Sequence, residues 1–310
     1  MIDAVPATGP LMTVNSSSRQ ISLIGLGLLG SSLARRLISQ GWQVIGFDLS
    51  EERQNRLIAE GGTASASLAD CVERSRYCVF CLPDENVSRG VLTEVLSDRD
   101  TSSELIILDM TTGAPDVMQE NAVICADRGV SYLDACVGGS SVEAEQGEAI
   151  LMVGGESDIL EACRDLLSDV ARQVFHVGPA GDGARMKLVT NLVLGLERMV
   201  LAEGLHLANA FGLNLNKTLE ILKEGPARSH AMTTKGPKMI EQDWTPQARL
   251  DQHWKDVKLI LKECLRTHAN LPLSELHEKT LRECHNQGWG ELDNSAIYMA
   301  YFAEIFEKRR

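Results

Sequence analysis

The chain has no run of roughly 18 consecutive apolar residues, the length a membrane-spanning helix needs. Its N-terminus, MIDAVPATGPLMTVNSSSRQ, has neither a basic leader nor an apolar core of the secretory kind, so a cytoplasmic protein is expected. Positive charge is scarce. Thirty Lys and Arg stand against 43 Asp and Glu, a net charge of −13, and no local basic patch offsets it. Such a surface repels a phosphate backbone, which argues against a nucleic-acid partner. Cysteine is present but does not group. Of eight cysteines only Cys78 and Cys81 make a C-x-x-C, inside the apolar run YCVFCLP, and no second pair or His spacing completes a metal site. A buried strand is the better reading of that run, and no metal is expected. Aromatic residues make up only 5% of the chain, but the hydrophobic fraction of 44% is enough for a packed core.

From Gln20 to about residue 180, short apolar runs alternate with amphipathic stretches. ISLIGL, QVIGFD, YCVFCL, ELIILD and VSYLDA have the length of buried parallel strands, and SSLARRLISQ and SEERQNRLIAE have helical periodicity between them. A further strand, helix and strand follow in EAILMVGG, ESDILEACRDLLSDV and RQVFHVG. This order predicts an α/β fold with a doubly wound parallel sheet. After Gly183 the strands stop. ARMKLVTNLVLGLERMVLAEGLHLANAFG reads as one helix over 183–212, capped at Asp182 and stopped at Gly212. It would be about 45 Å long, enough to lead away from the first domain into an all-helical remainder. The expected organisation is a loose tail over 1–19, a dinucleotide-binding domain over 20–180 and a helical substrate and assembly domain over 181–310. The long helix is apolar around much of its circumference. It needs cover on several sides, so a homodimer or homotetramer is expected.

Gly25-Leu26-Gly27-Leu28-Leu29-Gly30 sits directly between ISLI and SSLARRLISQ, the strand-to-helix context that gives a G-x-G-x-x-G its meaning. The first glycine permits the tight turn, the second lets a pyrophosphate approach the backbone, and the third lets helix and strand pack. The helix N-terminus then offers amides to the phosphates. The next strand ends at Asp48, 23 residues after Gly25, where a carboxylate accepts from adenosine ribose hydroxyls and repels a 2′-phosphate. NAD is therefore the expected cofactor. Arg53 nearby leaves NADP open.

Further segments, in order, resemble the β-hydroxyacid dehydrogenase family, which includes 3-hydroxyisobutyrate dehydrogenase, tartronate semialdehyde reductase and 6-phosphogluconate dehydrogenase. The resemblance runs from Ile21 to about Ile297. CLPDENVSRGVL looks like the family's cofactor-side loop, which implies Leu82 and Pro83 near the adenosine half. LDMTTGAP resembles its D-x-S-T-x-x-P, which implies Thr112 beside the nicotinamide ribose. LDACVGGS stands where the family has D-A-P-V-S-G-G, with Cys136 for the proline, Gly138 for the serine and Ser140 for the second glycine. Gly138, Gly139 and Ser140 are thus implied to hold a substrate carboxylate through backbone amides, without the family's serine hydroxyl. GDGARMKLVTN matches G-x-G-x-x-x-K-x-x-N-N. Lys187 falls on the catalytic lysine and Asn191 on the second asparagine, with Thr190 replacing the first. QHWKDVKLIL resembles the K-D segment, with Ala248 where the family has phenylalanine. It implies Lys255 at the nicotinamide end, held by Asp256.

The resemblance implies hydride transfer between NAD(H) and a small β-hydroxy acid or its semialdehyde, of the 3-hydroxyisobutyrate, tartronate semialdehyde or succinic semialdehyde kind. Lys187 would carry the proton, and Asn191 would fix the same oxygen and touch the substrate. A lysine in an otherwise apolar helix needs such a reason, because an unpaired buried charge is costly. Two other readings stay open. One is a non-catalytic cofactor-binding interaction module on the same fold. The other is an imine reductase, in which that lysine is typically replaced.

Overall fold

The computed structural model describes residues 19–97 and 104–303. The expected tail over 1–19 lies outside the described residues except for Arg19, as does the stretch 304–310.

Eight strands form one sheet: β1 (Gln20–Ile24), β2 (Gln43–Phe47), β3 (Thr63–Ala64), β4 (Tyr77–Phe80), β5 (Ile106–Asp109), β6 (Ser131–Gly138), β7 (Ile150–Gly154) and β8 (Gln173–Gly178). Their order is β3-β2-β1-β4-β5-β6-β7-β8. Helices α1 (Leu28–Ser39), α2 (Glu51–Ala59), α3 (Leu68–Glu73), α4 (Glu85–Ser97) and α5 (Pro115–Ala126) supply the crossovers of the first six strands. Two apolar cores lie on the sheet. One holds Leu23, Leu33, Ile106, Leu133 and Leu151, and the other holds Phe80, Leu92, Ile107, Met118 and Cys136. The near-continuous apolar strands are those of a sheet covered on both faces.

One pairing departs from the expected parallel sheet. β6 and β7 run antiparallel, with Val137 opposite Leu151 and Gly138 opposite Ile150. Only residues 139–149 join them, including the short α6 (Ser141–Gln146), and that is too few for a comfortable return to the starting edge. After α7 (Ser157–Ala162) and α8 (Arg164–Val170), β8 pairs with β7 in parallel. β3 has two residues, too short to register as a hydrophobic period.

α9 (Asp182–Ala210) leads into helices α10 (Leu215–Glu224), α11 (His230–Thr234), α12 (Gly236–Glu241), α13 (Leu250–Thr267), α14 (Pro272–Asn286) and a 3-10 helix over Asn294–Tyr301. No helix among the described residues is long and apolar enough to cross a membrane. Asp182 does not cap α9 as expected. Gly181, at φ 94°, is the N-cap, and Asp182 turns aside to pair with Arg185. The capping carboxylate comes from the sheet. Asp134 of β6, fully buried, accepts from the amides of Gly181 (2.9 Å) and Ala184 (2.8 Å). Burial pushes its carboxyl up to about 6 against the pull of those amides. The long helix is thereby fixed to the strand that ends in the Gly138–Gly139 turn.

α9 buries one face and leaves another bare. Met186, Val189, Val193, Val200 (69% exposed), Leu207 and, just past the helix end, Phe211 (70% exposed) form an apolar seam along its length.

Candidate active site

At the C-terminal end of β1 the chain turns through Gly25, at φ 92°. A Cβ there would lie 2.3 Å from the Cys81 carbonyl oxygen, and one at Gly30 would lie 1.9 Å from that of Gly25. Both positions are sterically closed to anything larger. At Gly27 a Cβ would meet nothing within 4 Å. Gly27 is the N-cap of α1, and that helix start has no side-chain cap and no acid in its first turn. An open backbone before an uncapped helix N-terminus suits a pyrophosphate. Leu26 is buried and Leu28 is exposed, while Leu29 packs against the core.

Asp48 lies just beyond β2 and is nearly buried. One carboxylate oxygen accepts from the Leu26 amide (2.7 Å) and the other from the Ser50 amide (2.9 Å). Arg53 pairs with it at 3.3 Å. The acid thus ties the glycine turn to the start of α2, whose cap is Ser50. Leu82 and Pro83 follow β4 after Cys81, and the Leu82 amide donates to Thr111 Oγ1 at 3.2 Å.

The second half of the site lies where the helices meet the sheet. Lys187, on the second turn of α9, is buried and donates from Nζ to the Val137 carbonyl at 2.7 Å. Burial lowers its pKa below the ordinary 10.5. Asp256 opposes that shift, while Arg198 and Lys255 add to it. One turn on, Asn191 Nδ2 donates to Asp256 Oδ2 at 2.9 Å. Asp256 sits 3.4 Å from Lys255. Lys255 Nζ in turn donates to the carbonyls of Thr112 (2.6 Å) and Pro83 (3.1 Å). Asn191, Asp256 and Lys255 therefore form one connected group with Lys187 in the field of Asp256, and Lys255 closes it onto the loops after β4 and β5.

Gly138 and Gly139 follow the carbonyl that Lys187 grips. A Cβ at Gly138 would lie 2.8 Å from Ile150, so a serine there would have to displace that side chain. Gly139 is exposed, at φ 144°. Ser140 is otherwise employed. It is the N-cap of α6 in a capping box with Glu143, which holds the Ser140 amide at 2.7 Å. The Ser140 amide is thus hydrogen-bonded within the protein, and Gly139 is the exposed end of the turn.

Sequence reasoning passed over several groups in this region. Asp134 was visible as an acid inside an apolar run. Arg198, three turns after Lys187 on an apolar helix, is buried. His253 and His277 meet against Gly195, where a Cβ would lie 2.5 Å from one ring and 2.6 Å from the other. Only the packing of α9, α13 and α14 could show that meeting.

Residues 20–178 match the family model described as the NAD binding domain of 6-phosphogluconate dehydrogenase. Residues 181–301 match that of the NAD-binding region of NADP-dependent 3-hydroxyisobutyrate dehydrogenase. The chain is 30% identical over 284 residues to the 2-(hydroxymethyl)glutarate dehydrogenase of Eubacterium barkeri, covering 90% of this chain and 94% of that one. It is 27% identical to the 3-sulfolactaldehyde reductase of Escherichia coli, over 89% of this chain and 94% of that one. Among solved structures, the 3-hydroxyisobutyrate dehydrogenase of Mycobacterium tuberculosis, determined with L-serine, is 25% identical. It superposes with a TM-score of 0.80 over 92% of this chain and 99% of that one. With a glycine turn shaped for a dinucleotide and family models that match 20–178 and 181–301, the chain belongs to the β-hydroxyacid dehydrogenase family of NAD(P)-dependent oxidoreductases.

Proposed function

We propose that the protein interconverts a small 3-hydroxy acid and its semialdehyde, with Lys187 as the proton carrier. The observation that carries this reading is the Lys187 ammonium, buried beside the Gly138–Gly139 turn and within the field of Asp256, which itself holds Asn191 and Lys255. L-serine, bound to the Mycobacterium tuberculosis relative, and the substrate named for the Eubacterium barkeri relative share a CH2OH group one carbon from a carboxylate. That common half fits a carboxylate at Gly139 and a hydroxyl between Lys187 and Asn191.

The bound nicotinamide supplies the hydride acceptor or donor. The protein supplies the rest. Lys187 takes the hydroxyl proton on oxidation and returns it to the carbonyl oxygen on reduction, which requires a pKa nearer neutrality than lysine's ordinary value. Burial provides that, and Asp256 limits the shift so that the protonated form persists. Asn191, its amide group fixed by Asp256, turns its carbonyl oxygen toward the same hydroxyl. A lysine so placed has no evident use in a non-catalytic module, and it disfavours imine reduction. The net charge of −13 disfavours a nucleic-acid partner and leaves a small molecule, and a cytoplasmic protein is part of the proposal.

The apolar seam on α9 suits a second copy of the chain, since a helix with two apolar faces needs two partners. We expect a dimer or tetramer by light scattering at micromolar concentration. Val200→Glu should shift it toward monomer, and a wild-type monomer would contradict the assignment. For the cofactor, kcat/KM should be higher with NAD than with NADP. Asp48→Ala should narrow the gap by removing the repelling carboxylate and releasing Arg53 for a 2′-phosphate. A wild-type preference for NADP would refute this. Finally, Lys187→Met should lower kcat by roughly 10²–10⁴ with NADH affinity near normal. In the wild type, oxidation should rise and reduction fall as pH rises through the lysine's lowered pKa, and that limb should disappear in Lys187→Met. Retention of most activity in the variant would remove Lys187 from the role.

A further inference from the structure

Arg198 is a buried arginine that makes no hydrogen bond or ion pair with any described residue. It shares the inward face of α9 with Lys187 and Asn191, following them by eleven and seven positions, and an arginine on a helix reaches back toward the N-terminus. Asp293, Asp256 and Glu197 are the carboxylates near enough to stabilise it; the first two are engaged elsewhere, and Glu197, its neighbour on the helix, forms no hydrogen bond or ion pair with it. Asp256 binds Asn191 and Lys255. Asp293 takes both oxygens to Lys235 and also accepts from the Gln247 amide and the Ser295 hydroxyl. An unmatched interior guanidinium is costly enough that a counter-ion is to be expected.

The surroundings suit an anion. The imidazoles of His253 and His277 lie against Gly195, one turn before Arg198, and the Nε2 of each is buried without a hydrogen-bond partner. Burial holds both rings neutral, so each can present an N–H without adding charge. The wider cluster has an excess of cations. Lys187, Arg198, Lys235 and Lys255 stand against Asp256, Asp293 and Glu197, while Lys238 is matched by Asp243. One positive charge is left over, which is the charge of a single carboxylate.

We propose that Arg198, with His253 and His277, forms a second anion subsite that receives the far carboxylate of a dicarboxylic 3-hydroxy acid. The reading of the reaction given above is assumed. The carboxylate beside the reacting carbon sits at Gly139, the hydroxyl at Lys187 and Asn191, and the remainder of the substrate extends along α9. Residue 198 lies about 10 Å beyond residue 191 on the helix axis, a gap that a five-carbon diacid and an arginine side chain cover together.

The test compares ligands that differ only at the far end. Binding of glutarate and butyrate to the NAD-loaded enzyme is measured by calorimetry, and kcat/KM is compared for 2-(hydroxymethyl)glutarate and 3-hydroxyisobutyrate, which share the reacting half. The wild type should favour the dianion roughly 10²-fold in each pair, the scale of one desolvated charge pair. Arg198→Leu should erase most of that preference, and Arg198→Lys should restore part of it. With an unmatched charge removed, Arg198→Leu should melt no lower than the wild type without ligand, and glutarate should no longer raise its Tm. Glutarate binding no tighter than butyrate to the wild type, or Arg198→Leu weakening both ligands equally, would overturn the proposal. The wild-type comparison stands even if a variant fails to fold. If glutarate is preferred through Arg198 but neither hydroxy acid turns over, the reaction assigned above fails and the subsite remains. If both turn over at equal kcat/KM and glutarate has no advantage, the reverse holds.

Discussion

Much of the structure depends on placing one ammonium group, that of Lys187, out of water. A buried lysine is tolerated only with a fixed acceptor and a nearby negative charge. Val137 supplies the first and Asp256 the second. The acceptor belongs to β6 and the carboxylate to α13, so the lysine is correctly housed only when sheet and helices are docked. Asp134 helps to enforce that docking. It reaches from β6 to two amides at the start of α9 and so fixes the lysine's own helix to the strand whose carbonyl the lysine grips.

The same docking assembles the cofactor side. Lys255 donates across the junction to the carbonyls of Pro83 and Thr112, which belong to loops after β4 and β5. The loops after β4 and β5, Lys187 and the Gly138–Gly139 turn thus meet through a few polar contacts at one seam. Ligands of open α/β sheets bind at the C-terminal ends of the strands, and here that edge is roofed by helices bearing charged groups.

What the sequence made legible was local. Gly25, Gly27 and Gly30 announce a turn between strand and helix, and Asp48 closes the following strand. Lys187 and Asn191 share a face by helical spacing alone. Less legible was whatever depended on which surfaces meet. The antiparallel β7 follows from a short connection whose direction no periodicity encodes. Asp182 carried the local signal of a cap, yet Asp134, distant in sequence, won the position by being better placed. Ser140 and Glu143 spell a capping box, a local use that the family loop did not imply. Arg198, His253 and His277 come from three helices, and nothing in their spacing draws them together.

The claim at the centre of this account is that burial lowers the Lys187 pKa and Asp256 limits the shift. The direct measurement is an NMR titration of the labelled Lys187 side chain in the wild type and in Asp256→Asn, with Lys187→Met to assign the signal. The account predicts a wild-type midpoint below 10.5 and a lower one still in Asp256→Asn, where burial acts without its opposing charge. A midpoint at the ordinary lysine value, or one that Asp256→Asn leaves in place, would contradict it.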